Sequence, residues 1–184
     1  VYANNLMFST LDTNSKRIRF PQEKDVIITD TVGFIRDLPE NLKGAFKSTL
    51  EELQDADMLL HVVDVAAEGF DSRVHSVEVV LQELELSERE TILVLNKIDL
   101  LADFEIEYIK TGVMPEDAEP DIYERAHEIA ELTERYNQVC MVSSIERKTF
   151  RELLEMIRMT LFVQGAMSET MGIEDYFGSR KIDE

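Results

Sequence analysis

The sequence predicts an α/β fold: three layers, with a mostly parallel sheet in the middle and helices on both faces. Three observations carry this. Residues 58–64 (MLLHVVD) and 91–95 (TILVL) are continuous apolar runs, as strands buried on both faces require. From residue 58 onward such runs alternate with helical periodicity, the pattern of a parallel sheet covered by helices. The residues with the sharpest chemistry stand just after strands, where open α/β sheets bind their ligands. The 184 residues suffice for one domain of this kind with its own core.

Taken in order, residues 16–20 and 25–30 read as a β-hairpin around Pro21. Ile18, Phe20, Val26 and Ile28 alternate as the inward positions. Pro39 suits the first position of a helix that carries Leu42, Ala45, Phe46, Thr49, Leu50 and Leu53 to about residue 56. After strand 58–64, Asp71 and Ser72 are expected to cap a helix bearing Val74, Val77, Leu81 and Leu84. Strand 91–95 is followed by an acidic stretch with Gly112, Pro115 and Pro120, read as a loop or irregular insertion. A helix over 122–136, a strand over 139–143 and a helix over 149–161 complete the pattern, the last with Phe150, Leu153, Leu154 and Ile157 inside. Residues 1–161 are thus expected to form a domain. Residues 162–184 have weak periodicity and read as a tail or the start of a further segment.

The net charge is −19, with acidic residues concentrated at 103–134 and 169–184. Such a surface repels phosphate backbones, so broad nucleic-acid binding is not expected. Charge runs of this kind read as solvated faces. The longest apolar run, interrupted by His61 and Asp64, is far short of the roughly 20 residues of a membrane span. One cysteine, Cys140, precludes an internal disulfide and suits a reducing compartment. His61, His75 and His127 lack metal-ligand spacing.

Four segments carry candidate chemistry. Asp30-Thr31-Val32-Gly33 follows the hairpin's second strand. A carboxylate there can hold Mg²⁺ through water, and a glycine lets backbone N–H approach a phosphate. A D-x-x-G alone is common and also reads as a strand-ending turn. Asn96-Lys97-Ile98-Asp99 follows a buried strand and is more specific. Guanine presents two donors on one edge, N1–H and the exocyclic amine, which one carboxylate accepts together; adenine has no such pair. Asn96 can serve the other edge of the base or tie neighbouring loops, and the Lys97 stem can pack over the ring. Val142-Ser143-Ser144, one βα unit later and followed by Ile145, can offer backbone N–H groups to the guanine carbonyl. Thr10, within Phe8-Ser9-Thr10-Leu11-Asp12, has a hydroxyl able to ligate Mg²⁺ when a triphosphate is bound.

The order Thr, D-x-x-G, N-K-x-D, Ser-Ser resembles the translation-factor-related GTPases. The run Asp30-Thr31-Val32-Gly33-Phe34-Ile35-Arg36-Asp37-Leu38-Pro39 is similar to the switch II of the HflX family, as are Leu59-Leu60-His61-Val62-Val63-Asp64 and the opening residues through Asp12. The resemblance covers residues 1 to about 161. It implies a Ras-like P-loop NTPase fold and a cytoplasmic GTPase that binds the large ribosomal subunit and splits or rescues stalled ribosomes. It further implies GTP and GDP as ligands and Mg²⁺ held by Thr10 and Asp30, with Gly33 at the γ-phosphate. Asn96 and Asp99 would lie on guanine, and a monovalent cation is a further candidate. The flanking Phe8, Ser9, Leu11, Asp12, Thr31, Val32, Lys97, Ile98, Ser143, Ser144 and Ile145 would line the nucleotide.

The sequence also departs from that family. No G-x-x-x-x-G-K-[ST] occurs in it. The nearest run, Gly44-Ala45-Phe46-Lys47-Ser48-Thr49, has Phe46 at the second glycine and lies mid-helix. The phosphate loop and its strand are expected upstream of Val1, and without that strand a gap should separate strand 25–30 from strand 58–64, leaving exposed edges. Phe34 stands where a water-orienting glutamine is found in Ras-type enzymes, so catalysis must use something else; without a phosphate loop, turnover by these residues alone should be poor. Thr13 replaces a proline, and Ser143 to Lys148 lack the family's alanine and glycines. The alternatives are a guanine-nucleotide or partner-binding module without turnover, or a related GTPase of ribosome assembly or tRNA modification.

Overall fold

A computed structural model of the chain describes residues 14–20, 25–31, 52–115 and 123–164. Strands β1 (Asn14–Arg19) and β2 (Asp25–Asp30) pair antiparallel, Asn14 opposite Asp30 and Arg19 opposite Asp25. The expected alternation holds. Ile18, Phe20 and Val26 pack into the core, whereas Ile27 is 64% exposed. A separate parallel sheet has the order β3 (Leu59–Asp64), β4 (Thr91–Asn96), β5 (Gln138–Val142). Its register sets Asp64 beside Asn96 and Asn96 beside Val142, so the three strands end at one level. Among the described residues no strand joins the hairpin to this sheet. Val62, on the same face of β3 as Leu60, is 57% exposed.

Helices cover both faces of the parallel sheet. On one, α1 (Phe70–Glu83) and α3 (Glu124–Thr133) set Phe70, Val74, Ile129 and Leu132 on Val63, Leu93 and Leu95. On the other, α4 (Phe150–Arg158) and the hairpin set Leu153, Ile157 and Phe20 on Ile92, Val94, Cys140 and Val142. A π-helical turn, Met159–Gln164, follows α4, and the Phe162 ring meets Phe20 edge-on at 6.0 Å. These are the three layers that the apolar runs predict.

Two sequence expectations are corrected. Helix α1 begins earlier than Asp71 and Ser72 suggest, because Gly69 adopts the left-handed conformation (φ 66°) and forms the N-cap. Asp71 therefore sits inside the first turn and bonds Arg135 at 2.6 Å. The acidic stretch after β4 is not a loop throughout: it contains helix α2 (Asp103–Thr111). The Glu105 carboxylate accepts the Ala102 N–H (2.8 Å) and both Arg125 nitrogens (2.8 and 2.6 Å). Burial opposes its ionisation, but these donors outweigh burial and hold its pKa below the usual carboxylate value. Gly112, left-handed at φ 67°, ends the helix with its N–H on the Tyr108 carbonyl. Of the helix expected over 39–56, the described end is a 3-10 turn, Glu52–Asp55. Residues 32–51, 116–122 and 165–184 lie outside the described residues.

One polar network crosses the α1 and α3 face. His61 Nδ1 lies 2.8 Å from the Tyr136 hydroxyl, which donates to Glu78 (3.1 Å), and Arg135 bridges Glu78 and Asp71. Burial, then the Arg135 charge, pushes the His61 pKa down to about 4, so the ring is neutral at neutral pH.

Candidate functional site

The crevice beyond the ends of β4 and β5 is built by two loops. Strand β4 delivers Asn96, and Lys97 then turns the chain in a left-handed conformation (φ 68°) into the 3-10 turn Ile98–Leu100. A lysine rarely takes that conformation. It throws Asp99 sideways toward β5, where Ser143, fully buried, donates its hydroxyl to Asp99 Oδ1. Asp99 is itself exposed, so its carboxylate stays open to further donors. Asn96 Oδ1 is buried with no hydrogen-bond partner among the described residues. A buried amide oxygen without a donor is costly and marks a place where a loop or ligand completes the bonding.

The second loop, Ser143 to Thr149, is closed by one hydroxyl. Thr149 Oγ1 accepts the Ser143 N–H (3.0 Å) and donates to the Glu146 carbonyl (2.7 Å). The Glu146 N–H returns to the Ser143 carbonyl at 2.9 Å. Ser143 N–H is thereby used internally. Ser144 and Ile145 are exposed, Ile145 at 78%, and among the described residues neither N–H has a partner. At the end of β3, the Asp64 carboxylate meets Lys97 Nζ at 2.6 Å and accepts the Ala66 N–H at 3.2 Å.

The structure thus brings Asn96, Lys97, Ile98 and Asp99 together with Ser143, Ser144 and Ile145. Asp30 stands exposed at the end of β2, with Thr31 half-buried after it, and among the described residues neither bonds the two loops. Phe8, Ser9, Thr10, Leu11, Asp12, Val32 and Gly33 lie outside the described residues. Among those described there is no cluster of three or more His, Cys, Asp or Glu fit for a metal. Mg²⁺ does not need one, since it takes one or two protein oxygens and completes its shell with water and phosphate. Asp30, an exposed carboxylate at a strand end, fits that use. No helix among the described residues is long and apolar enough to cross a membrane.

Two participants were not legible as site residues: Thr149 reads as the start of α4, and Asp64 reads as the polar stop of an apolar strand. Ser143 was expected at the site through its backbone, whereas its side chain's bond to Asp99 has no signal in the sequence.

A profile of the family described as 50S ribosome-binding GTPase matches residues 1–97. GTPase HflX of Caldanaerobacter subterraneus is 40% identical over 151 residues, 82% of this chain and 32% of that protein. GTPase HflX of Escherichia coli is 46% identical over 105 residues, 57% of this chain and 25% of that protein. The chain therefore spans 32% or less of the length of these relatives. Among solved structures, SsGBP in complex with GDP superposes with a TM-score of 0.58 at 22% identity, covering 85% of this chain and 43% of that one. A substituted form of SsGBP gives 0.59 at 23% identity, covering 85% and 49%. At that identity the likeness establishes the fold.

Proposed function

Because this chain belongs to the HflX family of GTPases, we propose that its loops at the ends of β4 and β5 hold a guanine base and that the domain works on the large ribosomal subunit. The observation that carries this is the pairing of Asp99 with Ser143. It fixes one carboxylate oxygen and leaves the group open to the two donors on one edge of guanine. Asn96 serves the other edge of the base through its amide NH2 or ties neighbouring loops through Oδ1, which has no partner among the described residues. The free N–H groups of Ser144 and Ile145 meet the base carbonyl, and the Lys97 stem covers the ring. An adenine base would place an acceptor against the Asp99 carboxylate and be rejected.

Mg²⁺, held by Asp30 and Thr10 when triphosphate is bound, supplies charge neutralisation at the phosphates. Gly33 offers backbone N–H to the γ-phosphate. Water then displaces the γ-phosphate, with positioning and electrostatics as the main contributions. Phe34 has no group to orient that water, so catalysis uses another group, and these 184 residues, which hold no G-x-x-x-x-G-K-[ST] run, turn over GTP poorly by themselves. In the cell the domain signals nucleotide state to the 50S subunit, through residues 4–15 and 30–40, to split or rescue stalled ribosomes in the cytoplasm.

Co-sedimentation with purified 50S subunits tests the partner. Pelleting that is favoured by a non-hydrolysable GTP analogue over GDP, and unaffected by an ATP analogue, supports the reading. Equal recovery with all three, or none, contradicts it.

A further inference from the structure

We propose that Asp64 is a positioning residue for the nucleotide loop, acting through Lys97; this rests on the guanine-binding reading above. Asp64 is the last residue of β3, and the register places it beside Asn96, the last residue of β4 before the loop. The Val65 N–H donates to the Asn96 carbonyl at 3.2 Å, so the chain leaving β3 is already tied to the chain leaving β4. The Asp64 carboxylate adds two further bonds. One oxygen accepts the Ala66 N–H and fixes the turn; the other lies 2.6 Å from Lys97 Nζ.

Lys97 is one of two non-glycine residues at positive φ among those described. Its left-handed turn is what delivers Asp99 to Ser143. A lysine with a free ammonium samples many rotamers, and holding one of them has an entropic cost. The Asp64 carboxylate draws the ammonium across from β4 to β3, so the methylene stem spans the ends of the two strands as a wall of the crevice. A base held on Asp99 then meets a preformed apolar surface instead of a mobile chain.

The test is GDP binding by the 184-residue chain, read with a fluorescent analogue in a double-mutant cycle. Asp64→Asn keeps the acceptor for Ala66 and removes the charge. Lys97→Met keeps the stem and removes the ammonium. Asp64→Asn is expected to weaken GDP binding about three- to fivefold while leaving the GDP-over-XDP preference unchanged, since Asp99 sets that preference. In the Lys97→Met background the same substitution should cost under about twofold. Asp64→Glu, which retains the charge, should recover part of the loss. An equal loss in both backgrounds would show that Asp64 acts through the Ala66 turn alone and overturn the proposal. Unchanged affinity of Asp64→Asn would overturn it while leaving the guanine reading intact. If the unsubstituted chain binds no guanine nucleotide, the reading fails and the role of Asp64 fails with it.

Discussion

Thr149→Val is the sharpest perturbation of the loop that carries Ser144 and Ile145. The substitution is nearly isosteric, so packing is kept and one hydroxyl is lost. That hydroxyl accepts the N–H of Ser143, which is fully buried, at 3.0 Å and donates to the Glu146 carbonyl at 2.7 Å. Its removal leaves a buried amide donor unsatisfied, a cost of about 1–3 kcal/mol. The Glu146 carbonyl loses less, because it keeps the Thr149 N–H at 3.0 Å. Thermal unfolding followed by circular dichroism should show a midpoint lower by roughly 3–8 °C for a chain of this size. Thr149→Ser keeps the hydroxyl and should recover most of that loss. A Thr149→Val midpoint equal to that of the unsubstituted chain would refute the reasoning. So would a serine variant as unstable as the valine variant, since that would assign the effect to the methyl group.

Two further outcomes follow from buried titratable groups. His61 has its pKa lowered from 6.5 to about 4, so the folded state prefers the neutral ring and the unfolded state binds more protons between those values. Its contribution is full above pH 6.5 and is lost as the pH falls toward 4, about 3 kcal/mol by linkage. Urea unfolding between pH 7 and 4.5 should show this slope, and His61→Gln should flatten it. Glu105 is held below its usual value of 4.5, so its contribution is present above that pH and lost as the pH falls through the lowered value. Glu105→Gln should cost about 1–3 kcal/mol in urea unfolding at pH 7, by weakening the contacts to Arg125 and Ala102.

The strands of this fold were legible because their signal is local. The run from Thr91 to Leu95 is apolar at every position after the first, and the structure buries Ile92 through Leu95 almost completely. The hairpin followed from the alternation of Ile18, Phe20, Val26 and Ile28. Helix α2 was missed because it is short and lies in an acidic stretch punctuated by Gly112, Pro115 and Pro120, while what holds it is tertiary: Glu105 on Arg125, and Tyr108 on Tyr123 with ring centroids 5.5 Å apart. The start of α1 was misplaced because a left-handed glycine cap leaves no side-chain signature, whereas Asp71 and Ser72 do.

The candidate site divides the same way. Asn96 and Asp99 stood out because a short motif after a buried strand encodes a chemistry. The contacts that set their geometry did not, because they join β4 to β3 and β5 through single side chains. Asp64 is 33 residues before Lys97, and Ser143 is 44 after Asp99. No periodicity spans such separations; only the strand order does.

Guanine recognition by Asp99 is the central claim, and nucleotide competition tests it most directly. A fluorescent GDP analogue bound to this chain should be displaced by GTP and not by ATP. Asp99→Asn replaces one acceptor oxygen with an N–H donor. The variant should lose GDP affinity by about tenfold to a hundredfold and gain affinity for XDP, whose 2-oxo group accepts that donor. Displacement by ATP as effective as by GTP, or an Asp99→Asn variant with unchanged base preference, would contradict the account.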